Sequence, residues 1–276
     1  LADLTSGTPK ISNTRHYASI IKEKSAARML IQLGNELMTT AWDQPNATKE
    51  ILESVQTRIF KISNRTNGSG LRPIADLVHD EYAELYERIQ GRRDQHVVMS
   101  GLTDLDNMTG GFRPGQMIVV AGRTSAGKSA LASNIATHAA VKEGKRVAVF
   151  SIEMSQTEIY SRMMADLGNM SCFGVLKGYL SEPDKSRIIS VNGKLADSKI
   201  WVDCSGYNTP VKIRSKAERV AAEHGLDLII IDYLQLVKGT GKSLYAQVTD
   251  VSSSLNLMAK DLRVPVIALS QLHRSK

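Results

Sequence analysis

Cysteine is almost missing from this chain: Cys172 and Cys204 are the only two. Two thiols cannot staple a disulfide framework or build a Cys-rich metal site, and both are read as core thiols of a reducing compartment. Long apolar runs are missing as well. No stretch approaches the ~20 residues that span a bilayer, and the first residues hold no signal-peptide segment, so a soluble, intracellular protein is expected. What remains is ordinary globular material, 42% hydrophobic and 23% charged over 276 residues. That length holds one large domain, alone or with a smaller one.

Charge is unevenly spread. Residues 1–90 carry 11 Lys/Arg against 11 Asp/Glu, and residues 91–276 carry 24 against 17, so the whole net charge of +7 falls in the second part. A basic half suits a polyanionic partner, and it equally suits a solvated lysine-rich surface.

The strongest local signal lies in that half, at Gln116–Ser129, QMIVVAGRTSAGKS. Gly122, then Arg123, Thr124, Ser125 and Ala126, then Gly127-Lys128-Ser129 reproduce the phosphate-cradling spacing G-x-x-x-x-G-K-[ST]. Met117–Ala121 reads as a buried strand. Leu131, Ile135 and Ala139 read as the inner stripe of a helix. A glycine-rich turn between strand and helix gathers backbone N–H groups and the positive helix end around an anion. Lys128 then reaches the β/γ-phosphates of a nucleotide such as ATP, and the Ser129 hydroxyl ligates Mg²⁺.

Ahead of this motif the chain reads as helical. Ile20, Ala27, Leu30, Leu33 and Leu37 recur at helical spacing from Thr14 to about Thr40, and Trp42-Asp43-Gln44-Pro45 is expected to break that helix. Asn46 or Thr48 caps a second, striped by Ile51, Val55, Ile59 and Ile62. Such a hairpin cannot bury both stripes alone and needs another surface, a second copy being one answer. Ser63–Arg72 has the composition of a flexible linker, and an isolated amphipathic helix follows at Ile74–Gln90. It docks on a neighbouring subunit or back on its own domain.

From about Gln95 the pattern becomes strand-helix alternation. Strands are expected at Met117–Ala121, Arg146–Phe150, Ile200–Asp203, Leu228–Ile231 and Val264–Leu269. Helices are expected near Lys128–Lys142, Gln156–Leu167, Pro183–Leu195, Val211–Glu223 and Val248–Leu262. The fold class is therefore α/β, a mostly parallel sheet covered on both faces, preceded by helices. Ligands of such sheets gather at the carboxyl strand ends.

Three strand ends carry candidates. Glu153 follows Phe150, on a strand read as the neighbour of the phosphate-loop strand, where it orients a water against a γ-phosphate or else stands as a solvated loop acid. Ser155 and Glu158 form a capping box. Asp232, delivered by Ile229-Ile230-Ile231, has the shape of a Walker-B carboxylate in the Mg²⁺ shell. Gln271 ends the last strand, where an amide can bond a terminal phosphate and release it after hydrolysis.

Ser-Ile-Glu-Met at 151–154, Ile-Asp-Tyr-Leu-Gln-Leu at 231–236 and Leu-Ser-Gln-Leu-His-Arg at 269–274, in this order behind this phosphate loop, resemble the DnaB-type replicative helicases of bacteria and their phages. Ser100-Gly101 through Gly110-Gly111-Phe112 is similar to the entry of that family's RecA-like motor. The resemblance implies the end of a helical collar domain at 1–63, a linker with its helix at 64–94 and an ATPase motor at 95–276. It implies Lys128 and Ser129 on phosphate and Mg²⁺, Glu153 as catalytic base, Asp232 on the metal and Gln271 as γ-phosphate sensor. Arg162 falls where the family stacks an arginine on adenine, or is a surface helix arginine. It further implies a cytoplasmic homo-hexameric ring moving on single-stranded DNA, with primase and a helicase loader as partners. The family's DNA-gripping loop and arginine finger fall beyond Lys276, and the loop Lys238–Gln247 is shorter than the family's usual one. The rival readings are a recombinase or clock-type ATPase of similar fold, and an ATP-gated assembly platform without motor activity.

Overall fold

The computed structural model describes residues 14–43, 51–52, 54–59, 62, 73–75, 78, 82, 85–86, 89–90, 94–239, 241 and 243–272. The chain divides into two compact units, residues 1–86 and 87–276.

In the first unit, α1 runs Thr14–Asp43. It passes through Trp42 and Asp43 rather than breaking there, because proline constrains the residue before it and Gln44 holds that place. Residues 51, 52, 54–59 and 62 are helical, as are Ile74, Ala75, Val78, Tyr82, Leu85 and Tyr86. An Arg58–Glu36 ion pair joins the second helical stretch to α1. The expected caps Asn46 and Thr48 and the linker Ser63–Arg72 lie outside the described residues.

The second unit is set by alternation within its strands. These are β1 (Met117–Gly122), β2 (Val147–Ser151), β3 (Ile200–Asp203), β4 (Leu228–Asp232) and β5 (Val266–Gln271). All pairs are parallel, in the order β1-β5-β4-β2-β3. The α/β expectation thus holds. The placement of the Glu153 strand does not: β5 and β4 lie between β1 and β2, since the chain crosses over two strand positions after the phosphate loop.

The helices are α2 (Thr103–Thr109), α3 (Lys128–Thr137), α4 (Gln156–Gly168), α5 (Cys172–Lys177), α6 (Glu182–Ala196), α7 (Pro210–His224) and α8 (Leu244–Leu262). Val147, Val149, Leu228, Ile230, Ile267 and Leu269 face one way, onto α3 and α4 through Ile135, Ala139, Ile159 and Met163. Their strand neighbours Ala148, Phe150, Ile229, Ile231, Val266 and Ala268 face the other way, onto Ile213 and Ala217 of α7 and Val251, Leu255 and Met258 of α8. Each fully buried Ile or Leu contributes roughly 1.5–3 kcal/mol, so the two layers hold the sheet from both sides.

Boundaries shift for physical reasons. Pro265 has no N–H to give, so β5 begins at Val266 rather than Val264, and it extends to Gln271 opposite Gly122. The helix of the phosphate loop ends at Thr137 and continues as a π-helical turn, His138–Lys142. Ser243 caps α8 by accepting from the Ala246 N–H, which starts that helix four residues before Val248. Neither cysteine is a core thiol: Cys172 is exposed at the start of the short surface helix α5, and Cys204 is half-buried beyond β3. Among the described residues no helix is long and apolar enough to cross a membrane.

Candidate functional site

The glycine-rich turn is shaped by two residues with positive φ, Ser125 at 61° and Gly127 at 89°. Gly127 is the N-cap of α3, and a Cβ there would meet nothing within 4 Å, so backbone conformation rather than space calls for glycine. At Gly122 space matters instead, since a Cβ would sit 3.3 Å from Lys128 Cγ. The turn is closed by the Ala126 N–H donating to Arg123 O (3.2 Å) and by Lys128 Nζ donating to the same carbonyl (2.8 Å). What results is a loop at a helix N-terminus with a lysine folded over it, able to hold a phosphate chain.

Sheet register brings the other groups to this end. Ser151 stands opposite Asp232 across β2 and β4, and the Ile152 N–H donates to Asp232 O at 2.9 Å. Asp232 is 6% exposed. Burial pushes its pKa up, against a hydrogen bond with Ser129 and the positive charges of Arg162 and Lys128. Ser129, Asp232, Lys128 and Arg162 therefore share one corner. A buried carboxyl that resists ionisation gains by a divalent cation beside it. Among the described residues no group of three or more His, Cys, Asp or Glu could hold a metal. Ser129 and Asp232 fit Mg²⁺, which takes few protein ligands and completes its shell with water and phosphate oxygens.

Gln271 reaches the loop directly: its Nε2 donates to Thr124 Oγ1 at 2.8 Å. Gln235, in the 3₁₀ turn Leu234–Leu236, grips the same residue through its backbone. Its Nε2 donates to Gln271 O (3.0 Å) and its Oε1 accepts from the Gln271 N–H (3.2 Å). The sequence motif contains Gln235 but gives it no role; an amide three residues past an acidic strand end was the available signal.

Glu153 is exposed beyond β2. Its charge, after burial, helps push up the Tyr233 phenol, which places it beside the end of β4. No hydrogen bond among the described residues ties Glu153 to Lys128. The Ser155–Glu158 capping box forms as the spacing predicts, with Glu158 Oε2 accepting from the Ser155 N–H at 2.8 Å. Arg162 borders two cavities. One also touches Ser129, Ser151 and Asp232. The other, of about 280 Å³, is lined by Ser133, Asn134, Asp166, Asn169 and Cys172.

A parallel sheet of this order, with a glycine-rich turn at one edge strand and acids at the ends of β2 and β4, defines a P-loop nucleotide-binding fold of the RecA-like class. The chain belongs to the DnaB-like helicase family: residues 97–276 match the DnaB-like helicase C-terminal domain. It is 34% identical over 277 residues to the replicative DNA helicase DnaC of Bacillus subtilis (strain 168), covering 99% of this chain and 61% of that one. To the replicative DNA helicase DnaB of Pasteurella multocida (strain Pm70) it is 35% identical over 285 residues, covering 100% and 61%. This chain thus spans about 61% of the length of these curated relatives. Among solved structures, an isolated ATPase domain aligns with a TM-score of 0.65 at 28% identity, over 71% of this chain and 72% of that one. A DnaB-like replicative helicase, described with its interactions with primase, shares the fold at 23% identity and a TM-score of 0.65, over 99% of this chain and 64% of that one.

Proposed function

We propose that this chain is the motor and part of the collar of a replicative DNA helicase, a homo-hexameric ring that hydrolyses ATP to translocate on single-stranded DNA and unwind duplex. The carrying observation is the convergence of the phosphate loop, Asp232 and Gln271 at one end of the sheet in a chain of the DnaB-like family. Residues 1–63 belong to the collar, 64–94 to the linker and 95–276 to the motor.

In this reading Gly122–Ser129 wraps the triphosphate and Lys128 leaves the Arg123 carbonyl to pair with the β/γ-phosphates. Ser129 and Asp232 hold Mg²⁺, which when bound screens the phosphate charge. Glu153 takes the proton of the attacking water. Gln271 exchanges its Thr124 partner for the γ-phosphate, so that loss of that phosphate returns it to the loop. Arg162 stacks on the adenine. Primase and a helicase loader are the protein partners, a reading supported by the relative described with primase, and the cytoplasm is the site of action.

Strand displacement on a forked duplex, with ATP and the whole protein, is the test. Unwinding that stops on Lys128→Ala is the expected result. Strand pairing instead would mark a recombinase, and neither activity would leave an assembly platform.

A further inference from the structure

The loops that leave β3 and β4 meet around one aromatic ring. Lys212 Nζ lies 4.2 Å and Lys238 Nζ 4.8 Å from the centroid of the Tyr207 ring, within cation–π range. Tyr207 is 44% exposed, so the cluster opens to solvent. It is also built rather than accidental. The Lys238 N–H donates to Asn208 O at 2.9 Å, clamping one loop to the other. Asn208 is fully buried and donates from Nδ2 to Ser205 O at 3.0 Å.

The cluster gathers two ammonium groups at one ring. The acid that opens the same loop, Asp203, is engaged by Lys216 in an ion pair. Asp250 borders the far side of Gly239. Two ammonium groups held beside one ring repel each other, and an anion between them removes that cost. The ring face keeps both in place when no anion is there.

We propose that Tyr207, Lys212 and Lys238 form a grip on the sugar-phosphate backbone of single-stranded nucleic acid, the lysines contacting phosphates and the tyrosine positioning them. This rests on the motor reading above. The grip sits at the carboxyl end of the sheet, as the phosphate loop does. Only Tyr233–Val237, which contains the turn Leu234–Leu236, separates Lys238 from Asp232, and Gln235 in that turn is bonded to Gln271, which is bonded to Thr124. A strand pulling on Lys238 therefore pulls on a hydrogen-bonded chain that ends in the nucleotide loop.

The experiment is fluorescence anisotropy of a labelled oligothymidylate with the whole protein and a non-hydrolysable ATP analogue, across a salt series. Lys212→Ala combined with Lys238→Ala should weaken binding and reduce the slope of log affinity against log salt by about 1.4, the share of two single-strand phosphates. The matching pair of glutamine substitutions, which keep the aliphatic stems, should do the same. Tyr207→Phe should bind as wild type, whereas Tyr207→Ala should lose several-fold. An unchanged slope in both double variants, with wild type still binding, overturns the grip and leaves the motor reading standing. Equal losses from Tyr207→Phe and Tyr207→Ala overturn the ring's positioning role. Loss of polyglutamate binding alone in the double variants assigns the patch to an acidic protein and overturns the proposal. Wild type that binds no oligothymidylate overturns the motor reading, and the grip with it.

Discussion

The two units bury apolar side chains to very different degrees. In residues 87–276 both faces of the sheet are sealed, with Ile213, Leu228, Ile229, Ile231, Leu255 and Ile267 all at 0% exposure. In residues 1–86, Leu33 is the one described apolar residue that counts as buried, while Leu30, Ile31, Met38, Leu52, Val78 and Tyr82 are exposed. The second unit carries its own core and the first does not, so the first is stabilised only when something covers it. A ring of copies supplies that cover in the proposed assembly.

The largest expected effect stays inside the second unit. Glu153→Gln should cut steady-state ATP turnover by about 10²–10⁴-fold, the usual worth of a general base, with nucleotide affinity retained. Full turnover in the variant would remove Glu153 as the base. Next, Ile230→Ala should cost the second unit about 2–5 kcal/mol in denaturant unfolding, because it empties a site between the sheet and the α3–α4 layer. Ile31→Ala, at a residue 64% exposed, should change chain stability by less than about 0.5 kcal/mol while shifting light scattering toward smaller species. An equal stability loss from both would erase the contrast between the units.

Asp232→Asn tests the site against the core. Burial raises this carboxyl's pKa, so its ionised form weighs against folding at neutral pH, and the amide removes that burden. The nucleotide-free variant should melt a few degrees higher and lose Mg²⁺-dependent turnover. A lower melting temperature would contradict the assignment of strain to this buried charge.

The smallest effect is at the opposite end of the sheet. Asp227 accepts from Arg146 Nε at 2.7 Å and Nη2 at 2.8 Å, tying the start of β2 to the start of β4. Burial pushes its pKa up, but the bonds and charge of Arg146, with Lys145, outweigh that and hold it below its ordinary 3.8. A depressed acid adds stability above its unfolded pKa and loses it as pH falls through the folded one. Unfolding monitored below pH ~4 should therefore be less acid-sensitive in Asp227→Asn by a modest margin. Identical acid profiles would show the pair to be neutral.

Much of the motor half was legible in the chain because its signals are local. Buried parallel strands are short apolar runs, a phosphate loop is a fixed spacing, and Ser155 with Glu158 caps a helix three residues apart. What was not legible depends on long-range order. Nothing between Gly122 and Glu153 says that β5 and β4 will lie between their strands. The clamp of Gln235 on Gln271 joins residues 36 apart in sequence. The meeting of Tyr207 with Lys238 depends on two loops from different strands. Cys172 looked like a core thiol because exposed cysteine is uncommon, and the six-residue helix it opens is too short to declare a face.

Strand spacing in a sheet is fixed by hydrogen-bond length at about 4.7–4.9 Å, so β1 and β2, three steps apart, end roughly 14 Å from each other. The sheet works as a ruler, with Lys128 launched from one mark and Glu153 from another. That gap answers to backbone geometry and hardly at all to which aliphatic side chains fill the layers beneath. Drift in the interior over evolutionary time can then alter how firmly the molecule holds together while leaving the span across which its two reactive ends must cooperate unchanged.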